Sequence, residues 1–248
     1  MSEKVAIVTG GAQGIGLGIA RALLDRGHRV AIWDRDPAAL AALPAQLGPL
    51  AERVFAQAVD VTDGAGVTAA VAALTAHWQT PEILINNAGI TRDKRIVNMD
   101  EADWDIVVNV NLKSQFLCCK AVIPGMIASG FGRIVNISSR AWLGGFGQAN
   151  YAASKGGVVS LTRTLAIEYA RKGITVNAVA PGIVETPLMA GYTEEQRARL
   201  EQTVPAGRIG QASDIARAVA FFADEANAYV TGQLLYVCGG RSLSSPSL

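Results

Sequence analysis

Tyr151 and Lys155 are the residues of this sequence whose types and spacing most directly suggest chemistry. They lie four positions apart at the start of a helical pattern, which puts both side chains on one face of a helix. Because a neighbouring ammonium stabilises a phenolate, we expect Lys155 to lower the pKa of Tyr151 below its ordinary value of about 10. Such a tyrosine acts as an acid in ketone reduction and as a base in alcohol oxidation. A surface pair can share this spacing, so the assignment depends on the rest of the chain.

A glycine-rich segment near the N-terminus is typical of a phosphate-binding turn. The run Gly10-Gly11-Ala12-Gln13-Gly14-Ile15-Gly16 follows an apolar, strand-like segment and opens a helical pattern. Glycine allows a tight turn and close approach of the backbone to a pyrophosphate, and the helix N-terminus offers free N–H groups and a positive dipole end. The segment therefore predicts a dinucleotide-binding site.

Asp34, at the end of the next predicted strand, bears on which dinucleotide binds. A carboxylate there accepts hydrogen bonds from the adenosine ribose and repels a 2′-phosphate. The glycine turn contains no Lys or Arg, and Gln13 occupies its middle. These features favour NAD as the cofactor over NADP, although Arg35, directly after Asp34, leaves NADP open. Asp34 also suits a turn or a helix cap before Pro37.

Three further clusters of polar residues or glycine follow predicted strands. They are Asn86-Asn87-Ala88-Gly89, Ser138-Ser139 and Pro181-Gly182. The carboxyl ends of parallel strands meet at one edge of a sheet, where ligands bind in open α/β folds. We therefore expect these clusters to share one crevice with Tyr151 and Lys155.

The elements that must position these residues alternate along the whole chain. Short β-branched or apolar runs predict strands at Lys4–Thr9, Arg29–Trp33, Arg53–Val59, Ile83–Asn86, Gly132–Ser138, Ile174–Ala180 and Leu234–Val237. Helical patterns between them include Gly16–Asp25, Val67–Trp78, Trp104–Ser129 and Ser154–Arg171. This alternation predicts an α/β fold, a doubly wound parallel sheet of Rossmann type with helices on both faces, in a single domain over residues 1–248.

Two local expectations accompany this fold. Pro124 lies inside the pattern Trp104–Ser129 and is expected to kink that helix or to end its first part. The segment 187–205 interrupts the strand–helix rhythm and predicts either a mobile helical lid or an ordinary surface helix.

Composition excludes several other classes of protein. The 248 residues carry a formal net charge of +1, so bulk charge indicates neither nucleic acid nor an anionic membrane as a partner. The three cysteines have no metal-binding spacing and only two histidines occur, so neither a disulfide scaffold nor a metal site is expected. We find neither a signal-peptide pattern nor an apolar run long enough to span a bilayer, and we expect a cytoplasmic protein.

Taken together, the motifs resemble those of the short-chain dehydrogenase/reductase family, in its branch of about 250 residues. The resemblance covers essentially the whole chain. It rests on the glycine turn from Thr9 to Gly16, Asp60-Val61, Asn86-Asn87-Ala88-Gly89, Asn111, Ser139, Tyr151-x-x-x-Lys155 and Pro181-Gly182.

The resemblance implies a role for each of these residues. Tyr151 would be the general acid/base, Lys155 would lower its pKa and bind the nicotinamide ribose, Ser139 would hydrogen-bond the substrate oxygen, and Asn111 would hold a water in a proton relay behind Lys155. The cofactor contacts implied are Gly10, Gln13, Gly14, Ile15 and Gly16 at the pyrophosphate, Asp34, Asn87, Ala88 and Gly89 around the adenosine ribose, Asp60 and Val61 at adenine, and Pro181, Gly182, Val184 and Thr186 beside the nicotinamide.

Two assignments have close competitors. Ser138 and Ser139 both suit the catalytic serine; the strand pattern favours Ser139, which leaves the loop to Tyr151 one residue shorter than in many relatives. Asn109 competes with Asn111 in the same way, and the Asn-Leu pairing favours Asn111. The serine or asparagine that is not catalytic would be a capping or backbone-bonding residue.

For the reaction, the sequence favours a small hydrophobic or cyclic secondary alcohol or ketone. The residues proposed to form the substrate pocket are mainly bulky and apolar: Arg140, Trp142, Leu143, Phe146, Leu188, Met189 and Tyr192. The alternative is reduction of a 3-oxoacyl thioester, because the segment from Gly147 to Tyr151 resembles 3-oxoacyl-carrier-protein reductases. Those enzymes mostly use NADPH and dock a carrier protein on basic residues. Here Gly130 stands where a docking arginine is often found, whereas Lys172 keeps a basic residue at a second such position. A cofactor-binding sensor without catalysis is a further alternative.

Apolar residues on the predicted helices Trp104–Ser129 and Ser154–Arg171 extend beyond one narrow stripe. Such excess apolar surface indicates contacts between subunits. Members of the family commonly form tetramers through these helices and the last strand, so we expect a homotetramer.

Overall fold

The computed structural model describes residues 2–189 and 191–243; for Leu188 it describes the backbone alone, so that pocket candidate's side chain lies outside the described part. The centre of the protein is a seven-stranded parallel sheet in the order β3-β2-β1-β4-β5-β6-β7. The strands are β1 Val5–Thr9, β2 Arg29–Asp34, β3 Val54–Ala58, β4 Ile83–Asn86, β5 Gly132–Ile137, β6 Ile174–Pro181 and β7 Leu234–Val237. The predicted doubly wound sheet is confirmed.

The inner strands are buried on both faces, as their apolar runs predict. Every residue of β1, β4, β5 and β6 is buried, whereas the edge strands β3 and β7 are partly exposed. This is the pattern of a parallel sheet covered on both sides, because a strand that meets no solvent has no polar face.

Nine α-helices connect and cover the strands in the described part of the chain. They are α1 Gly14–Asp25, α2 Pro37–Ala41, α3 Leu43–Leu47, α4 Gly64–His77, α5 Glu101–Val108, α6 Ser114–Ser129, α7 Ala149–Tyr169, α8 Glu194–Gln202 and α9 Ala212–Ala223. Helices α1 and α9 bury their apolar side chains against one face of the sheet, and α4, α6 and α7 pack against the other. The two resulting cores hold the strand ends in a fixed arrangement.

Pro124 does not end its helix, so the second of the two outcomes that we expected is wrong. Helix α6 continues through Pro124 to Ser129, and the α-helical pattern is instead interrupted earlier, by a π-helical turn at Asn109–Lys113. Proline removes one intrahelical hydrogen bond. The buried neighbours Val122, Ile123 and Met126 hold the helix against the sheet despite that loss.

The stretch Glu101–Ser129 is, by length and composition alone, long and apolar enough to cross a membrane. Within the fold, its residues Cys118, Cys119, Val122 and Met126 are buried in the core beneath the sheet. A core helix passes the same composition test, so this stretch is explained by the packing of the domain.

The direction of the strand order reverses between β1 and β4. From β1 the sheet continues through β2 to β3 on one side, and from β4 it continues through β5 and β6 to β7 on the other. Ligands of open α/β sheets bind in the crevice at the carboxyl ends of the strands beside such a point. Near this crevice the segment 187–205 forms a short 3-10 turn, Pro187–Met189, and helix α8, which begins with a capping box between Thr193 and Gln196. A helix is therefore present there; its mobility stays a prediction, and Ala190 lies outside the described residues.

Candidate active site

A cleft of about 600 Å³ opens at the carboxyl ends of the central strands. All the residues proposed as cofactor contacts line it: Gly10, Gln13, Gly14, Ile15, Gly16, Asp34, Asp60, Val61, Asn87, Ala88, Gly89, Tyr151, Lys155, Pro181, Gly182, Val184 and Thr186. Ser139 also lines the cleft. The fold thus brings the separate sequence motifs to one place.

The glycine turn needs glycine for conformational and steric reasons. Gly10 and Gly14 have φ angles of 59° and 53°, in the left-handed region that side chains disfavour. A Cβ atom on Gly16 would lie 2.1 Å from the Gly10 carbonyl oxygen and 2.6 Å from Nδ2 of Asn87. The N-cap of α1, Gln13, makes no capping hydrogen bond with its side chain, so the first N–H groups of the helix face the cleft without a side-chain acceptor. The turn is suited to a pyrophosphate.

Asn87 and Thr9 hold the glycine turn against the end of β4. Asn87 donates from Nδ2 to the carbonyl oxygens of Thr9 and Gly10, both at 3.0 Å. Oγ1 of Thr9 accepts from the backbone N–H groups of Asn87 and Ala88, again at 3.0 Å. The Asn87 side chain is therefore used to fix the turn, whereas the ribose contact that we predicted for it is untested.

Asp34 lies directly beside the glycine turn. Its Oδ2 accepts from the Ala12 N–H at 3.2 Å, and its Oδ1 accepts from the Asp36 N–H at 3.2 Å. Each oxygen keeps further acceptor capacity for a ribose hydroxyl. On the other wall, the Thr62 hydroxyl and backbone N–H donate to Asp60, and these hydrogen bonds lower the Asp60 pKa with a smaller contribution from the charge of Arg35. Two carboxylates, Asp34 and Asp60, thus line the cleft together with Arg35.

Lys155 is buried, and its charge has little solvent around it. Its Nζ donates to the Ile137 carbonyl oxygen at 2.8 Å and lies 5.8 Å from the ring centroid of Tyr151. Burial lowers the pKa of Lys155 to about 8. A Cβ atom on Gly89 would lie 3.4 Å from Lys155 Nζ, so the Gly89 backbone packs directly against the ammonium at the wall of the cleft.

The pKa of Tyr151 does not follow our expectation. Burial raises it, and the hydrogen bond with the Ser139 side chain lowers it in part. Lys155 does not contribute to this shift: its Nζ donates to the Ile137 carbonyl oxygen and lies 5.8 Å from the Tyr151 ring centroid. At neutral pH Tyr151 is a protonated phenol, which is the form required to donate a proton to a carbonyl oxygen.

The structure separates Ser138 from Ser139. Oγ of Ser138 is buried and donates to the Lys155 carbonyl oxygen at 2.9 Å, so it anchors α7 to the end of β5. Oγ of Ser139 accepts from the Ala141 N–H at 3.1 Å and is hydrogen-bonded with Tyr151. Of the two hydroxyls, that of Ser139 is thus the one that meets Tyr151.

Asn111 lies in the π-helical turn and is fully buried. Its Oδ1 accepts from the Ile90 N–H at 2.8 Å, and its Nδ2 donates to the Ile90 carbonyl oxygen at 3.0 Å and to Ser154 Oγ at 3.1 Å. The side chain therefore ties the loop after β4 to α7 behind Lys155. Its predicted role in holding a water stays a prediction. Its competitor Asn109 lies in the same π turn but is exposed, so the buried contacts of Asn111, and not the turn itself, favour Asn111.

The loops beside Tyr151 are connected to each other, which the sequence did not indicate. Lys94 donates its backbone N–H to the Gly147 carbonyl oxygen at 2.8 Å, and Gln148 Nε2 donates to Asp93 Oδ2 at 2.8 Å. The buried Asn150 accepts from the Tyr151 N–H at 2.7 Å and donates to the carbonyl oxygens of Arg92 and Asp103. These bonds fix the first turn of α7, and with it the position of Tyr151.

The residues predicted to form the substrate pocket do not line the main cleft. None of the proposed residues that the structure describes (Arg140, Trp142, Leu143, Phe146, Met189 and Tyr192) lines the main cleft. The chain turns away after Ser139 into the 3-10 turn Arg140–Leu143, and Leu143 and Phe146 are exposed. The cleft residues that we did not predict are Trp33, Val59, Thr62, Ile90, Thr91, Val110, Ile137 and Pro187. Most are apolar or lie next to a recognised motif, so their types carried no separate signal.

Comparison with known proteins defines the class to which this arrangement belongs. A family model described as enoyl-(acyl carrier protein) reductase matches residues 10–242. The chain belongs to the short-chain dehydrogenase/reductase family and is an oxidoreductase of that family.

The names of individual relatives give the substrates of similar members of the family. The chain is 43% identical to the (2S)-[(R)-hydroxy(phenyl)methyl]succinyl-CoA dehydrogenase subunit BbsD of Thauera aromatica, over 98% of both chains. It is 42% identical to the 3-oxoacyl-[acyl-carrier-protein] reductase FabG of Vibrio cholerae, over 97% of this chain and 98% of that protein. Among solved structures, ElxO with NADP bound is similar with a TM-score of 0.94 and 29% identity, over 98% of this chain and 100% of that one.

Proposed function

We propose that this protein interconverts 3-hydroxyacyl and 3-oxoacyl thioesters, with a nicotinamide cofactor as the hydride carrier. The observation that carries the proposal is the grouping of Ser139, Tyr151 and Lys155 at one end of a cleft lined by the glycine turn. The choice of substrate is supported by relatives that act on thioesters of coenzyme A and of acyl carrier protein. They support this alternative better than the small alcohol or ketone that we first expected.

The glycine turn fits the cofactor, since glycine lets its backbone pack tightly enough to approach a pyrophosphate: a Cβ atom on Gly16 would lie 2.1 Å from the Gly10 carbonyl oxygen. When bound, the nicotinamide takes up or supplies the hydride at the substrate carbon. In oxidation, the C–H bond of the alcohol breaks, its O–H proton passes to Tyr151 as the base, and a C=O bond forms. In reduction, Tyr151 gives its phenolic proton to the carbonyl oxygen while Ser139 donates a hydrogen bond to the same atom. Lys155, whose Nζ lies 5.8 Å from the Tyr151 ring centroid, would hold the nicotinamide ribose beside Tyr151.

A direct comparison of substrates tests this function. We expect kcat/KM for 3-oxo-3-phenylpropionyl-CoA to be at least ~100-fold higher than for 1-phenyl-1,3-butanedione, which keeps the same ketone without the thioester arm. Binding energy from the remote arm would be used to orient the carbonyl at Tyr151. Cofactor absorbance measures both rates. Equal activity on the two ketones, or activity on the diketone alone, would return the assignment to a small-ketone reductase, and binding of cofactor without turnover of either would favour a sensor.

We also propose that the cofactor is NAD rather than NADP. The Asp34 carboxylate stands beside the glycine turn, close to where the adenosine ribose is expected, and opposes a 2′-phosphate. Two observations favour NADP instead: ElxO has NADP bound, and the exposed Arg35 follows Asp34 directly with a charge that attracts a 2′-phosphate.

Replacing Asp34 with serine is expected to reverse the cofactor preference. The change removes the charge that repels the phosphate and introduces a hydroxyl that can donate to it, so kcat/KM with NADPH should rise at least ~10-fold relative to that with NADH, equivalent to about 1.4 kcal/mol. Steady-state rates with each cofactor give the ratio. Asp36→Ser, two residues on, is the matched control. A wild-type enzyme that already prefers NADPH, or a ratio unmoved by Asp34→Ser, would show that Asp34 does not select the cofactor.

We further propose a cytoplasmic homotetramer, with small molecules and no nucleic acid or membrane as partners. The support is exposed apolar surface on helices α5, α6 and α7 and on strand β7. Exposed examples are Trp104, Ile106, Phe116, Ile127, Ile167 and Leu235. Light scattering coupled to size-exclusion chromatography measures the mass, and a value near the 25.9 kDa of one chain would contradict the assembly.

A further inference from the structure

A short segment that follows β6 lies between the main cleft and the glycine turn. This strap, residues 185–189, contributes Thr186 and Pro187 to the lining of the cleft. A Cβ atom on Gly14 would lie 3.6 Å from both Pro187 Cδ and Thr186 Cγ2, so the strap is in van der Waals range of the turn. In the sheet, β4 and β5 separate β6, which leads into the strap, from β1, which leads into the turn. The strap therefore bridges two sides of the cleft.

One arginine that does not itself line the cleft holds both ends of the strap. Nη1 of Arg197 donates to Glu185 Oε2 at 2.8 Å, and its Nη2 donates to the Met189 carbonyl oxygen at 2.9 Å. A guanidinium presents its N–H donors in a fixed plane, so a single arginine can bind two acceptors with a defined geometry. These contacts fix the two ends of the strap relative to α8.

The position of Arg197 is in turn fixed by its helix. Its backbone N–H donates to the Thr193 carbonyl oxygen at 3.0 Å, and Thr193 forms the capping box with Gln196 at the start of α8. At the beginning of the strap, the Glu185 N–H donates to the Gly210 carbonyl oxygen at 2.8 Å. Arg197 therefore connects a helix with a defined start to a segment that is anchored at its first residue.

We propose that Arg197 is a positioning residue that holds the strap against the glycine turn and thereby slows dissociation of the cofactor. The pyrophosphate is expected at this turn, where the N–H groups at the start of α1 face the cleft. Because the strap is in contact range of Gly14, a dinucleotide bound at the turn leaves when the strap moves away from it. The inference concerns cofactor binding, goes beyond the proposed reaction, and does not depend on which carbonyl compound is reduced.

The rate of cofactor release tests this role directly. Each protein is loaded with whichever of NADH and NADPH it binds more tightly. The fluorescence of the bound cofactor is then followed after mixing with excess oxidised cofactor, with no substrate present. Arg197→Gln is expected to raise the dissociation rate constant at least ~5-fold, because two hydrogen bonds from a charged group are lost. The association rate constant should change less than ~2-fold, since such contacts act mainly on dissociation.

Arg199→Gln is the matched control. Arg199 lies on the same helix and pairs with Glu195 within α8 at 2.7 Å, so this variant loses an ion pair without losing a contact to the strap. Its dissociation rate constant should stay within ~2-fold of wild type, because an exposed pair contributes little. An unchanged rate in Arg197→Gln would overturn the proposed role, and an equal increase in both variants would overturn it in favour of an effect on the stability of α8.

Glu185→Gln removes the same ion pair from the side of the strap, and it keeps the proposal testable if Arg197→Gln does not fold. It is also expected to speed cofactor release. In the Glu185→Gln background, Arg197→Gln should raise the dissociation rate constant by a smaller factor than in the wild type, because residues in direct contact are not additive. Fully additive effects would show that Arg197 does not act through Glu185 and would overturn the proposal.

Hydrogen exchange of the protein without cofactor gives a second readout that is independent of any reaction. The Met189 N–H donates to the Thr186 carbonyl oxygen at 2.9 Å, within the strap. Arg197→Gln should accelerate exchange of this N–H at least ~5-fold, whereas Arg199→Gln should change it less than ~2-fold. Unaltered exchange at Met189 in Arg197→Gln would contradict the hold on the strap, whether or not the protein acts on thioesters.

Discussion

Replacing Tyr151 with phenylalanine is expected to lower kcat by at least ~1,000-fold in both directions while cofactor affinity changes little. The substitution removes one oxygen atom and with it the group that exchanges the proton, a contribution of roughly 100- to 10,000-fold in general acid–base catalysis. The apolar ring still fills the same buried position, and the cleft-lining glycine turn is untouched. Initial rates give kcat, and quenching of protein fluorescence by the cofactor gives its dissociation constant.

Tyr169→Phe is the matched control, because Tyr169 is at the other end of the same helix and packs against the core beneath the sheet. Its activity should stay within ~2-fold of wild type. Substantial turnover by Tyr151→Phe would mean that another group moves the proton, and an equal loss in both variants would point to disruption of α7.

The pH dependence of the wild type follows from the raised pKa of Tyr151. Reduction needs the phenol protonated, so its dependence on this group is flat through neutral pH. Oxidation needs the phenolate, so its rate should rise as the pH increases toward the Tyr151 pKa. Rates of both directions between pH 6 and pH 9 check the sign, and oxidation that is fastest at low pH would contradict it.

The sequence predicted the sheet well because its signal is local. Continuous apolar runs marked each buried strand, and the predicted bounds of β4 and β7 match the structure residue for residue. The fold then brought motifs such as Asp34 and Gly182 to one edge, since parallel strands end together. The types of these residues and their places at strand ends were sufficient to find the cleft.

The sequence failed where long-range contacts decide the outcome. Helix α6 continues past Pro124 because its buried side chains pack against the core, and helix propensity alone does not predict this continuation. We expected the Tyr151 pKa to fall, whereas burial raises it. Spacing on a helix shows neither that burial nor the hydrogen bond from Lys155 to the Ile137 carbonyl oxygen. The side chains after Ser139 were assigned to the pocket by composition, yet the turn they form removes them from the main cleft.

Lys155→Met is expected to abolish most activity and, at neutral pH, to stabilise the protein. Burial lowers the Lys155 pKa to about 8 from 10.5, so carrying the charge inside the fold costs about 3 kcal/mol below pH 8. Methionine removes that cost and gives up the hydrogen bond to Ile137, worth about 1 kcal/mol. The variant should therefore gain about 2 kcal/mol in the free energy of unfolding at pH 7.

The gain should disappear with rising pH, which distinguishes it from better packing. Between about pH 8 and pH 10.5 the unfolded wild type binds a proton at Lys155 that the folded protein has released, so wild-type stability rises through this window relative to the variant. Urea unfolding of both proteins at fixed concentration, from pH 7 to pH 10, measures the difference. Lys172→Met, at an exposed lysine, is the control and should show no such slope. A gain in the free energy of unfolding that is constant with pH would contradict a buried charge at Lys155. A gain that declines with rising pH would mean that the cleft maintains this ammonium at the expense of stability.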